Sequence, residues 1–183
     1  MEESLVTIFY IFISALILKG ALYMVKQKNA VIIERLGKFN KVSKAGLHIK
    51  IPLIDSISGK INLRVRELPV EVETKTKDDV FVKIVVSVQF YVIDSIDGIR
   101  DSFYELNNPE QQIQSYVFDS IRSEVPLMEL DDVFAQKEKI AIAIKNELSD
   151  TMKQFGFDFI KALVTDIDPD AKVKQSMNEI NAA

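Results

Sequence analysis

Seven apolar residues occupy successive even positions near the middle of the chain: Val80, Val82, Ile84, Val86, Val88, Phe90 and Val92. Side chains alternate across a strand, so this run predicts one long β-strand with a wholly apolar face. The odd positions, Phe81, Lys83, Val85, Ser87, Gln89 and Tyr91, are mixed and predict a half-covered second face. Upstream, residues 30–39 read as a strand ending at Gly37. Residues 44–55 read as a turn at Gly46 and a short strand stopped by Pro52. Residues 57–74 read as extended, with Ile61, Leu63 and Val65 alternating and Pro69 confining the segment to a sheet edge. The polar stretch 74–79 turns the chain into the long strand. Four strand segments in succession predict an antiparallel meander.

The period then changes from two to between three and four. Ile96, Ile99, Phe103 and Leu106 form one helical face. Asn108-Pro109 predicts a capped helix start, and Ile113, Val117, Ile121 and Val125 line the helix that follows, up to Pro126. Asp131 is read as the cap of a third helix, with Phe134, Ala141, Ile144, Leu148, Met152 and Phe155 inward and Gly156 closing it. Residues 157–167 predict a return strand. Asp168-Pro169 repeats the cap-then-proline signal before a last helix carrying Val173, Met177 and Ile180. Strands followed by helices predict an α+β domain with a mostly antiparallel sheet packed by helices.

Both periods fail at the N-terminus. LVTIFYIFISALILKGALYMV, residues 5–25, is apolar on every side. As a helix its 21 residues would extend ~31 Å, enough to cross a hydrocarbon core of ~30 Å. The expectation is a spanning anchor through Leu5, Ile8, Phe9, Phe12, Leu16, Leu22 and Val25. A shallow or re-entrant anchor on residues 5–18 is the alternative, because Gly20 can end the helix early. A cleaved signal peptide is disfavoured by Glu2 and Glu3, which stand where a basic region is needed.

Charge sharpens this picture. The net charge is −4, but residues 1–50 carry eight basic and three acidic side chains, while residues 94–183 carry nine basic and eighteen acidic. An acidic distal half argues against a nucleic-acid partner. The basic residues that follow the anchor place the body of the protein on the cytoplasmic side. Lys26, Lys28, Arg35, Lys38 and Lys41 are the candidates for contact with anionic lipid headgroups.

Candidate chemistry is sparse. There is no cysteine and one histidine, His48, which excludes thiolate metal sites and leaves no Ser-His pair or zinc triad of standard spacing. Asp166, Asp168 and Asp170 alternate like calcium ligands but lack the glycine and distal glutamate of an EF-hand loop. No G-x-G-x-x-G or Walker A sequence is present. The expectation is a tethered, non-catalytic module with no cofactor and no metal; a hydrolase of unfamiliar type ranks well behind.

Four longer stretches carry a family resemblance: E-T-K-T-K-D-D-V-F-V (73–82), Q-Q-I-Q-S-Y-V-F-D-S-I-R (111–122), D-I-D-P-D (166–170) and M-N-E-I-N-A-A (177–183). They resemble the SPFH, or band 7, superfamily of stomatins, prohibitins and flotillins, with the nearest likeness to the hypersensitive-induced-reaction proteins. The resemblance divides the chain into an anchor (1–27), an SPFH domain (28–170) and the start of a C-terminal helix (171–183), read as cut short at Ala183. It implies a membrane scaffold that forms homo-oligomers, or hetero-oligomers with SPFH paralogues, and organises lipid microdomains or membrane protein complexes, including proteases and channels. An accessory subunit that docks on and regulates a membrane protease without self-assembly is the alternative. Lipidation through Met-Gly and nearby cysteines, typical of plant members of that branch, is excluded by Glu2 and the missing cysteines.

Overall fold

The computed structural model describes residues 2–170. A helix, α1 (Glu2–Ala21), leads directly into strand β1 (Leu22–Val25). Strands β2 (Asn29–Arg35), β3 (Lys38–Ser43), β4 (Gly46–Ile49), β5 (Asp55–Asn62), β6 (Arg66–Lys75) and β7 (Phe81–Val92) follow. Helices α2 (Ile96–Tyr104), α3 (Pro109–Glu124), α4 (Leu130–Ala135) and α5 (Lys137–Met152) come next, and strand β8 (Phe157–Pro169) returns. The fold is α+β, and every strand pairing is antiparallel.

A single meander does not form. The strands make three sheets, ordered β1-β4, β3-β2-β5 and β6-β7-β8. Only β2-β3 and β6-β7 are hairpins; β5 skips β4 and pairs with β2, Ala30 opposite Ile61 and Ile32 opposite Gly59. Local alternation predicts strands but not which strands meet; Ala30 and Ile32 of β2 and Ile61 of β5 join the main core, whereas Val31 and Ile33 are buried beside Val25.

The long strand takes the central place that its two faces require. Val82, Ile84, Val86, Val88, Phe90 and Val92 are all buried. Helices α3 and α5 cover this face, α3 against β6 and α5 against β8. Ile113, Val117 and Ile121 of α3 and Ile144, Leu148 and Met152 of α5 complete the core. Pro69 sits in β6, at the sheet edge, opposite Ser87 of β7. Asn108 caps α3 by accepting from the Gln111 N–H at 3.2 Å, with Pro109 at the first helical position. Gly156 adopts φ +80° where the chain turns from α5 into β8, and a Cβ there would lie 2.0 Å from the Gly98 carbonyl oxygen.

Several expectations are corrected. The helix expected from Asp131 to Phe155 is two helices broken at Gln136. Asp131 lies inside α4 rather than at its cap, and the Leu130 N–H is met from a distance by the Asp78 carboxylate at 3.1 Å. Asp168 and Pro169 belong to β8, Asp168 opposite Lys83 and Pro169 opposite Val82, because ladder pairing to β7 continues past residue 167. The helix expected beyond, with Val173, Met177 and Ile180, lies outside the described residues.

The anchor is corrected as well. Leu22 and Val25 are strand residues: β1 pairs with β4, and the Lys50 N–H donates to the last helical carbonyl, Ala21, at 2.8 Å. Val25 is buried against Val31 and Ile33. The apolar helix therefore ends four residues earlier than expected. Among the described residues no helix is long and apolar enough to cross a membrane.

Candidate functional site

The region beside the end of α1 carries an unusual concentration of uncovered apolar side chains. In the β1-β4 pair, Leu22 stands opposite Ile49 and Met24 opposite Leu47. Residues two apart share a strand face, and so do cross-strand partners. The four therefore form one apolar face, and it is open: Leu22 is 43% exposed, Met24 78%, Leu47 69% and Ile49 67%. The other face of the same two strands is closed. Tyr23 stacks on His48 with ring centroids 5.6 Å apart, and the Tyr23 hydroxyl meets the Ser43 hydroxyl at 2.5 Å.

Two loops carry further exposed apolar side chains. The β4-β5 loop presents Ile51, Leu53 and Ile54, with Leu53 fully exposed. The β2-β3 turn presents exposed Leu36. The Leu36 N–H donates to the Ile54 carbonyl at 3.1 Å, so the two tips are tied together. Leu36 (φ +50°) and Leu53 (φ +68°) both hold left-handed backbone, which costs a non-glycine residue about 1 kcal/mol or more. Leucine is a poor choice for such a position unless its side chain has a task at the tip.

Asp55 holds this loop. Its carboxylate accepts from Arg35 Nε at 2.8 Å, from Arg35 Nη2 at 3.3 Å and from the Ile51 N–H at 2.9 Å. The Asp55 side chain is 2% exposed. These hydrogen bonds, led by that from Arg35, bring its pKa down from 3.8 to about 2. On the flank, the Tyr104 hydroxyl donates to Glu34 at 2.6 Å and ties α2 to β2. Burial and the Glu34 carboxylate push the Tyr104 pKa up to about 12.

The five basic residues expected to touch lipid separate into two groups. Arg35 is committed to Asp55, and Lys41 donates to the Ile49 carbonyl at 3.1 Å, strapping β3 to β4. Lys26, Lys28 and Lys38 are exposed. Lys38 stands two residues from Leu36, whereas Lys26 and Lys28 lie beyond the end of β1 that faces away from α1. Of the anchor positions, Ile8, Phe9 and Phe12 are exposed on α1, while the side chains of Leu5 and Leu16 lie outside what is described. Sequence reasoning missed Met24, Leu36, Leu47, Ile49 and Leu53. Each is an ordinary strand or turn apolar residue until pairing puts them together.

Elsewhere, His48 donates from Nε2 to the Lys44 carbonyl at 2.6 Å and stacks on Tyr23, so it holds the turn before β4. Among the described residues no group of three or more His, Cys, Asp or Glu side chains is placed to hold a metal ion. Asp166 and Asp168 face neighbouring positions of β7, opposite Val85 and Lys83.

A family model described as SPFH domain / Band 7 family matches residues 23–183. The chain belongs to the SPFH/Band 7 family. The match begins at the second residue of β1, so Met24, Leu47 and Ile49 lie within the SPFH region, whereas Leu22 and α1 precede it. This SPFH chain is similar to hypersensitive-induced response protein 4 of Arabidopsis thaliana, 42% identical over 160 residues, covering 87% of this chain and 54% of the relative. It is also similar to the mitochondrial stomatin-like protein 2 of Homo sapiens, 27% identical over 155 residues, covering 84% of this chain and 42% of the relative. The chain spans about half the length of these curated relatives.

Proposed function

We propose that this SPFH chain is a membrane-seated scaffold, held by α1 together with the apolar face of β1, β4 and the Leu36 and Leu53 tips. The single observation behind this reading is that open face, continuous with the C-terminal end of α1. Uncovered apolar patches of this kind mark sites of membrane or protein contact. The side chains lie on strands and constrained tips, so they meet a bilayer surface without further ordering. A fully buried leucine contributes about 1.5–3 kcal/mol. Lys38 beside Leu36, and Lys26 and Lys28 farther off, add about 1 kcal/mol each where they approach anionic headgroups.

The seat is monotopic: α1 lies in one leaflet and the SPFH domain rests on the same side. From Leu5 to Ala21 the apolar part of the helix is ~25 Å long at ~1.5 Å per residue, short of a ~30 Å core. Copies of the chain assemble laterally on that surface and organise membrane protein complexes there, with no chemical step. Family membership supports that function.

The test is flotation of the full chain with vesicles of neutral and of mixed anionic lipid, comparing the native sequence with Leu47→Asp/Leu53→Asp. The double variant should lose at least about tenfold in binding to both vesicle types while its melting temperature stays unchanged, because both side chains are exposed. Equal binding by the two proteins would remove the apolar face from the seat and leave α1 as the whole attachment.

A further inference from the structure

Two features on opposite edges of the β6-β7-β8 sheet fit one another. On the β8 edge, a groove of about 530 Å³ runs between the first half of α5 and residues 160–164 of β8. Ile142 and Ile160 line it and are 61% and 51% exposed. Lys137, Lys145 and Lys161 stand along it, against one acid, Glu138. None of the three lysines has an ion-pair partner among the described residues. The groove is therefore apolar inside and cationic at its rim.

On the β6 edge, the chain leaves α3 in a single 3-10 turn, Val125–Leu127. Val125 is buried, whereas Leu127 is 73% exposed. The turn is rigidly held. The Met128 N–H donates to Val125 at 3.0 Å, the Lys77 N–H to Met128 at 2.9 Å, and Asp78 takes the Leu130 N–H at 3.1 Å. Pro126 fixes the backbone further. Close to Leu127 in the chain, Glu124 precedes it by three residues and Asp131 and Asp132 follow it by four and five; all three acids are exposed, and none is ion-paired among the described residues. Leu127 is thus an exposed apolar knob in an acid-rich stretch of chain.

The two features cannot meet within one chain. The 3-10 turn packs against β6 and α5 against β8, with β7 between them. We infer that they meet between copies: Leu127 of one chain enters the Ile142–Ile160 groove of the next, with Glu124, Asp131 and Asp132 facing Lys137, Lys145 and Lys161. The occupant of the groove is a second copy because the complementary charge and the apolar knob are both present on this chain. A contact between two different surfaces is head-to-tail, and it propagates into a ring or a row according to the rotation between neighbours. The apolar insertion supplies the affinity and the charges set register and approach. Assembly should therefore weaken but persist as salt rises, since the Debye length shrinks from ~10 Å at 0.1 M to ~3 Å at 1 M.

This inference rests on the scaffold reading and names the surfaces that would carry its lateral assembly. The experiment uses the full chain in mild detergent, with mass measured by sedimentation, and compares the native sequence, Leu127→Glu, Ile142→Glu and an equimolar mixture of the two variants. Both substituted side chains are exposed, and circular dichroism verifies that each variant is folded. The expected result is a many-copy native particle, each variant monomeric alone, and discrete dimers in the mixture, where one intact knob meets one intact groove. A native particle whose variants assemble equally well would overturn this interface and leave the scaffold reading standing. A monomeric native chain would overturn the scaffold reading, and this inference with it. Monomeric variants that give no dimer on mixing would overturn the pairing of Leu127 with the Ile142–Ile160 groove.

Discussion

The Arg35 guanidinium closes on the Asp55 carboxylate through two hydrogen bonds, Nε to Oδ1 at 2.8 Å and Nη2 to Oδ2 at 3.3 Å. Arg35 ends β2 and Asp55 begins β5, so this pair clamps the two strands at the end where the Leu36 and Leu53 tips emerge. The clamp titrates. Asp55 has a native pKa of about 2 against an ordinary 3.8. A depressed carboxylate contributes stability that is present in full above the unfolded value and lost as pH falls through the folded one. The melting temperature of the native chain should exceed that of Asp55→Asn by several degrees at pH 6, and the gap should narrow between about pH 4 and pH 2. A gap independent of pH across that window would show that the carboxylate charge is not what holds the loop.

The contrast between Arg35 and Lys38 separates clamp from lipid contact. Lys38→Glu should weaken binding to anionic vesicles by about fivefold, corresponding to ~1 kcal/mol near the surface, with no change in melting temperature. Arg35→Glu should instead lower the melting temperature, since it leaves a carboxylate that is 2% exposed without its cation. Matched vesicle titrations and thermal melts of the two variants distinguish these outcomes.

The chain has no tryptophan, so one introduced at a tip is a clean reporter of depth. Leu53→Trp should shift its emission to the blue on adding vesicles and be quenched by lipids brominated high on the acyl chain. Leu127→Trp, distant from the proposed seat, should keep its emission in monomeric, low-concentration samples. Equal shifts at both positions would mean the bilayer meets the domain by another face.

Gly156 holds φ +80° with the Gly98 carbonyl where a Cβ would go. Gly156→Ala should cost about 2–3 kcal/mol, through left-handed strain and displacement of α2 from the start of β8. Urea unfolding with an unchanged slope is the check.

Ser149 offers the opposite sign. Its hydroxyl, on α5, is buried without a hydrogen-bond partner among the described residues. Ser149→Ala removes an unsatisfied polar group and raises helix propensity, so stability should rise by about 0.5–1.5 kcal/mol. By contrast, Ser120→Ala should destabilise, because the Ser120 hydroxyl donates to Glu147 of the same helix pair.

Legibility in the sequence followed the range of the interactions. The β7 face from Val82 to Val92, the Asn108-Pro109 start and the Gly156 turn rest on contacts within a few residues or on a period, and each could be read directly. The break at Gln136 was not readable, because α4 and α5 carry one continuous apolar pattern and the start of α4 is met by Asp78, 52 residues away. The end of α1 was hidden for a similar reason. LKGALYMV continues the apolar run, and only pairing of Leu22–Val25 with Gly46–Ile49 turns it into a strand.

By itself the sequence determined the α+β class, the core strand, the helical faces and the want of an obvious reagent, because these follow from local period and residue chemistry. Tertiary structure decided which apolar residues stay uncovered. Met24, Leu47 and Ile49 alternate as a buried strand face would, and nothing local distinguishes them from Val82 or Ile84. The difference is that α3 and α5 cover the β7 face, whereas no element packs over the β1-β4 face among the described residues. Burial belongs to what lies opposite a side chain, and a one-dimensional pattern carries no record of that.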